Sequence, residues 1–253
     1  MKTTRWLRTA ACALGLTAAS PLLWAQEIVV SAAASLTNAF QAVGQAWEQA
    51  APGRRATFNF AASGALLAQM QQGAPVDVFA SADQPTMDKA QAANLIAPDT
   101  RTDFVKNELV LIVPAGSAKV PQSLDALTGS DYRRIAAGTP ASVPVGRYTM
   151  SVVEQARLSE PLQPKWIYGE SVRQVLDYVA RGEVDAGFVY RTDALIKKGE
   201  TRIAFAVPTT SPVTYPIARL AASRQPAAAQ SFIAFVKGAE GRRILESYGF
   251  TQP

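Results

Sequence analysis

Short apolar strands that alternate with amphipathic helices, each pair joined through a turn of small residues, constrain this chain more than any other feature. The first unit runs from Glu27-Ile28-Val29-Val30 through Ser31 to Ala34 and into Ser35-Leu36-Thr37-Asn38-Ala39-Phe40. Apolar residues then recur at helical spacing from Leu36 to Gln49 and stop before Pro52-Gly53. A strand over Ala56 to Phe60, a helix over Ala65 to Gln72 ended by Gly73, and a strand over Val76 to Ala80 follow. Ser81-Ala82-Asp83 then signals a helix over Gln84 to Ala92. Parallel strands need crossovers of this kind, so the βαβαβα order predicts an open parallel sheet with helices on its faces.

A second series begins at Leu109 to Val113, a continuous apolar run closed by Pro114 that suits a strand buried on both sides and crossing between lobes. It continues through Leu124 to Leu127, Arg134 to Ala137, Val152 to Ala156, Val172 to Ala180 and Ala186 to Val189. Ile203 to Val207, a loop over 208–212 and Tyr215 to Leu220 lead to one last helical segment, Ala227 to Tyr248, which is expected to return to the first lobe. The predicted fold is α/β with two lobes, each a mostly parallel sheet flanked by helices, joined by two hinge crossovers. Lobe I takes 26–108 and 211–253, lobe II takes 109–210, and a cleft lies between them.

The first 25 residues read as an export signal. Lys2, Arg5 and Arg8 precede a mostly apolar stretch from Leu7 to Leu23, and cleavage is expected after Ala25. A lipid anchor at Cys12 is disfavoured, because Thr9 and the short apolar run before it fit that signal poorly. Cys12 is the one cysteine, so the mature chain has no thiol or disulfide. The leader holds three basic residues and no acidic one, so its removal lowers the formal charge from +5 to +2 and leaves no basic cluster suited to nucleic acid.

The chain contains no histidine. That removes serine and cysteine triads built on imidazole, histidine acid–base chemistry and imidazole metal ligation. No phosphate-binding or dinucleotide-binding glycine pattern and no nucleophile elbow occur either. A binding protein is favoured over an enzyme.

The helix starts are the remaining places for chemistry. A helix leaves its first N–H groups without intrahelical acceptors and carries partial positive charge there, so an anion can bind without a cation. Ser35 and Ser63 (in Phe60-Ala61-Ala62-Ser63-Gly64) sit at two such starts. A third opens near Pro144 or Val145, where Pro144 donates no N–H; the Val145 amide is favoured over the Arg147 side chain as a ligand. The Val172 amide lies at a fourth, and Glu170 beside it should face solvent or serve the cap. Tyr190 ends the apolar run Ala186 to Val189, at the strand end where ligands of α/β sheets sit. Plain capping is the alternative for each serine, and a core position for Tyr190. Asp185 and Asp193 are expected to be a turn residue and a helix cap.

Together these segments resemble a known family. Ala32-Ala33-Ala34-Ser35-Leu36-Thr37, Gly73-Ala74-Pro75-Val76-Asp77-Val78-Phe79-Ala80-Ser81-Ala82-Asp83, Val143-Pro144-Val145-Gly146-Arg147-Tyr148 and Tyr248-Gly249-Phe250 are similar, in order and over essentially the whole mature chain, to the periplasmic molybdate-binding proteins of ABC importers. The resemblance implies a type II periplasmic-binding fold closing on one tetrahedral oxyanion, molybdate or tungstate. It implies Ser35, Ser63, the Val145 and Val172 amides and the Tyr190 hydroxyl as ligands, a membrane permease/ATPase complex as partner, no cofactor, no catalysis, a periplasmic location and a monomer. Val145 stands where the family often has Ala, but the contact is through its N–H.

A fully deprotonated dianion accepts hydrogen bonds and donates none, so a site made only of donors suits it, whereas phosphate near neutral pH carries a proton that needs an acceptor. With no histidine, affinity should vary little between about pH 6 and 8. Two other readings remain open: a hydrolase using Asp77, Asp83 and Asp88, and a ferric-ion binder using phenolates. Tyr148, Tyr168, Tyr178, Tyr190 and Tyr215 offer the second no pair adjacent in sequence.

Overall fold

The computed structural model describes residues 26–253; the leader, its expected cleavage point after Ala25 and Cys12 lie outside them. The elements follow in the order β1 (Gln26–Ala33), α1 (Thr37–Gln49), β2 (Arg54–Ala61), α2 (Ser63–Gln71), β3 (Val78–Ala80), α3 (Gln84–Ala92), β4 (Thr102–Asn107) and β5 (Leu109–Pro114). Then come β6 (Ile135–Gly138), α4 (Pro144–Gln155), α5 (Ser159–Leu162), β7 (Trp166–Gly169), α6 (Val172–Ala180), β8 (Ala186–Tyr190), α7 (Arg191–Ile196), β9 (Thr201–Ala206), β10 (Val213–Arg219), α8 (Pro226–Lys237) and α9 (Ala239–Ser247).

These strands form two five-stranded sheets, ordered β2-β1-β3-β10-β4 and β7-β6-β8-β5-β9. In the first, β1 pairs parallel with β2 and β3, while β10 runs antiparallel to both β3 and β4. In the second, β6 pairs parallel with β7 and β8, while β5 runs antiparallel to β8 and β9. The antiparallel strand of each sheet is the one that enters from the other sheet. The sheets are therefore mixed, with one reversed strand each.

Several local readings need correction. β5 lies wholly within the second sheet, and the chain crosses at Glu108, between β4 and β5, and again over 207–212. Leu124 to Leu127 is not a regular element of a sheet unit but part of a single turn of 3-10 helix, Asp125–Thr128. The last helical segment is two helices, because Gly238 turns to extended backbone (φ −73°, ψ 171°) and serves as the end of α8 and the start of α9. Only Val78–Ala80 of the expected third strand is paired as strand. Strands β4 and β7 and helix α5 had no counterpart in the sequence pattern.

Helices α1, α8 and α9 pack together against the first sheet, where Phe40, Trp47 and Phe232 meet edge to face at centroid distances of 5.5–6.0 Å. Leu66, Leu67 and Met70 of α2 and Met87 of α3 form a separate cluster with Phe79 and Ala218. On the second sheet, α4 and α6 bury Val152, Val153, Val175, Leu176 and Val179.

One close approach positions the second lobe's helix. A Cβ on Gly146 would stand 2.0 Å from the Gly138 carbonyl oxygen, so only glycine lets α4 start directly above the end of β6. Gly146→Ala is expected to lower unfolding free energy by about 1–3 kcal/mol. A urea midpoint equal to that of the native chain would show that β6 and α4 can separate freely.

Candidate functional site

Every helix of eight residues or more that follows a parallel strand begins at that strand's carboxyl end, and the two sheets present these ends to each other. Between them lies a small cavity. Ser35, Ser63, Val145, Val172 and Tyr190 all line it, together with small apolar residues such as Ala33, Ala62 and Ala82. All five are buried. Among the described residues the lining includes no charged side chain.

Each position follows from its local backbone. Ser35 is the middle residue of a 3-10 turn, Ala34–Leu36, ahead of α1, so it precedes the α-helix rather than opening it. Ser63 is the first residue of α2, whose cap is Ala62; its Oγ accepts the Ala82 N–H at 3.0 Å and its proton is left over. Pro144 opens α4 with its missing N–H at no cost, which makes Val145 the first amide of that helix free of an intrahelical acceptor. Val172 opens α6, capped by Ser171, whose Oγ accepts the Gln174 N–H at 3.2 Å. Glu170 is exposed.

Tyr190 closes β8 with 1% of its surface exposed, and its hydroxyl has no hydrogen-bond partner in the protein. A buried hydroxyl left unpaired costs roughly 1–3 kcal/mol unless something fills the space before it. Burial, followed by the neighbouring Tyr215 and Tyr148 rings and nearby carboxylates, holds its pKa well above the ordinary phenol range. Tyr190 is therefore a proton donor throughout the physiological range.

Other residues stand around the cavity without lining it. Arg147 turns away from it: its guanidinium pairs with Asp83 across the cleft at 2.7 Å and donates to Thr86 Oγ1 at 2.8 Å. Asp83 also caps α3 by accepting the Thr86 N–H. Arg173, in the first turn of α6, spans the other side. Its Nη1 donates to Asn38 Oδ1 at 2.9 Å, and its Nε approaches Asp193 at 2.7 Å, obliquely to a hydrogen-bond direction. Asp193 thus does not cap α7, as expected from sequence, but sits inside the helix as the buried counter-charge of Arg173. Each arginine beside the cavity is neutralised by a carboxylate. Asn107, Tyr215 and Thr192 complete the surroundings of Ser35.

The lobes touch closely at one backbone point. The Gly64 N–H donates to the Ser142 carbonyl at 2.9 Å, and a Cβ on Gly64 would lie 2.6 Å from that oxygen. The cavity is therefore closed over on this side.

Asp77, Asp83 and Asp88 do not converge. Asp77 accepts from the Val29 N–H and the Ser223 hydroxyl beside a separate cleft, and Asp88 pairs with Arg101 at the surface. Among the described residues no group of three or more Asp, Glu, His or Cys is placed to hold a metal.

The model for bacterial extracellular solute-binding proteins matches residues 28–251. The chain belongs to this family. It is one of solute-binding proteins, not enzymes. The molybdate-binding protein ModA of Mycobacterium tuberculosis is 38% identical over 237 residues, covering 93% of this chain and 88% of that one. A putative ABC transporter substrate-binding lipoprotein of Bacillus subtilis is 36% identical over 225 residues, covering 88% and 86%. The periplasmic molybdate-binding protein of Azotobacter vinelandii superposes with a TM-score of 0.79 at 23% identity, over 89% of this chain and 99% of that one. Its likeness shows the fold, that of the type II periplasmic binding proteins.

Asp193 gives a pH-dependent consequence. Burial pushes its carboxyl up to about 6 from 3.8, against the lowering effect of Arg173. Between about pH 4 and 6 the folded chain thus keeps a proton that the unfolded chain has released, and stability falls as pH rises through that window. The stability of the native chain relative to Asp193→Asn should drop by about 2 kcal/mol from pH 4 to pH 6 and level off above about pH 7. Parallel urea-derived profiles for the two proteins would contradict the assignment.

Proposed function

We propose that this protein captures molybdate or tungstate in the cavity between its lobes and delivers it to a membrane ABC importer. The observation that carries the reading is a small, electroneutral cavity lined by surplus donors from both lobes, among them a buried tyrosine hydroxyl with nothing to bond. In this reading the Ser35, Ser63 and Tyr190 hydroxyls and the Val145 and Val172 amides hold the oxyanion's oxygens. Residues 26–108 and 211–253 act as one lobe and 109–210 as the other, hinged at Glu108 and at 207–212.

Helix starts from both sheets aim partial positive charge at the same small space, and each hydrogen bond to a charged group contributes roughly 1.5–3 kcal/mol. The similarity to ModA proteins, at 34–38% identity for two of them, supports molybdate as the ligand. Export fits the leader, with the mature chain beginning after Ala25 and working outside the cytoplasm as a monomer; a lipoprotein among the relatives keeps a membrane anchor in view for that relative only.

The tyrosines deserve comparison with a ferric-ion site, because the fold gathers Tyr148, Tyr190 and Tyr215 with ring centroids 5.8–6.5 Å apart although they are far apart in sequence. Burial raises the pKa of all three, which favours the protonated donor over the phenolate that iron needs.

Calorimetric titration tests the reading. Molybdate and tungstate should bind and, at ~1000 times the dissociation constant, raise unfolding free energy by about 4 kcal/mol, while sulfate and phosphate bind far more weakly. Tyr190→Phe should weaken molybdate binding by about 1–3 kcal/mol with the fold intact. No heat and no thermal shift with either heavy oxyanion would end the proposal; undiminished affinity in Tyr190→Phe would remove that residue from the site.

A further inference from the structure

A serine hydroxyl can present a bound dianion with its proton or with a lone pair, and only the first attracts it. For Ser63 the backbone decides, because the Ala82 N–H fills its acceptor side at 3.0 Å and leaves its proton free. Ser35 has no such backbone neighbour. Its Oγ lies 2.9 Å from the Tyr215 hydroxyl oxygen, a contact in which either group can donate.

Asn107 breaks the tie. Its Oδ1 accepts the Glu108 N–H at 2.9 Å, and since an N–H can only donate, the amide's nitrogen must face the other way. There Nδ2 donates to Thr192 Oγ1 at 2.9 Å and to the Tyr215 hydroxyl oxygen at 3.2 Å. With that oxygen already receiving a proton, Tyr215 turns its own proton toward Ser35 Oγ.

We propose that Asn107 and Tyr215 form a positioning pair that fixes the polarity of Ser35, so that its proton, and not the lone pair that Tyr215 engages, points into the cavity. This rests on the oxyanion reading given above and deepens it. Neither Asn107 nor Tyr215 lines the cavity; both act through Ser35. With Ser63 receiving the Ala82 N–H and Ser35 the Tyr215 proton, each serine directs its own proton at the ligand, which favours fully deprotonated oxyanions over protonated ones.

The test is calorimetric titration of molybdate into the native chain, Tyr215→Phe, Asn107→Asp and the double variant, with thermal melts to confirm folding. Tyr215→Phe frees Ser35 without reversing it and should cost no more than about tenfold in affinity. A carboxylate at 107 draws the tyrosine proton to itself, so the tyrosine oxygen then takes the serine proton and Ser35 shows the ligand a lone pair. Asn107→Asp should cost on the order of 100-fold. Adding Tyr215→Phe to it removes the relay and should restore affinity by about tenfold, a gain that a purely structural tyrosine cannot produce. In parallel, Tyr215→Phe should cost nothing further in a Ser35→Ala background, which decides the matter even where Asn107→Asp does not fold.

A double variant no tighter than Asn107→Asp, or an equal loss from Tyr215→Phe with and without Ser35, would overturn the pair. Absence of molybdate binding in the native chain would instead overturn the oxyanion reading itself.

Discussion

Desolvating a small dianion is the cost on which this architecture turns, and the proposed compensation comes from dipoles rather than from charges. A Lys or Arg in so small a cavity would carry its own desolvation penalty and would leave an unpaired buried cation whenever the site is empty. Backbone amides at helix starts and hydroxyls avoid that, because they remain neutral with the ligand absent. The two arginines nearest the cavity obey the same rule: Arg147 is matched by Asp83 and Arg173 by Asp193.

This solution requires two sheets rather than one. A single sheet could direct α1 and α2 toward a point at the ends of β1 and β2, but the other side of an anion there would face water. The second sheet brings α4 and α6 from the opposite direction, and the cross-cleft pairs Arg147 with Asp83 and Arg173 with Asn38, plus the Gly64 to Ser142 backbone bond, hold the halves together. The antiparallel strands β5 and β10 each begin just after a crossover, and each lies in the interior of its sheet.

Much of this was legible in the chain because it is local. Strand, small-residue turn and helix start occupy a dozen consecutive residues, which is why Ser35, Ser63, Val145, Val172 and Tyr190 could be singled out from spacing and all prove to line one cavity. The features that escaped depend on distant partners. Tyr215 meets Ser35 across 180 residues and Asn107 across 108, and no periodicity connects them. Asp193 resembled a helix cap because its sequence position permits one, yet Arg173 claims it in three dimensions. β4 went unseen because Thr-Asp-Phe-Val-Lys-Asn is too polar to stand out until β10 pairs with it. The break at Gly238 was hidden by apolar spacing that continues across it into α9.

The most direct measurement of the central claim is a crystal structure of the protein grown with molybdate, with the metal located by its anomalous scattering. The account predicts one molybdenum peak between Ser35, Ser63 and Tyr190, with ligand oxygens within hydrogen-bond distance of the Val145 and Val172 nitrogens and no arginine or lysine nitrogen in contact. A peak elsewhere, or one coordinated through Arg147 or Arg173 released from its carboxylate, would contradict it.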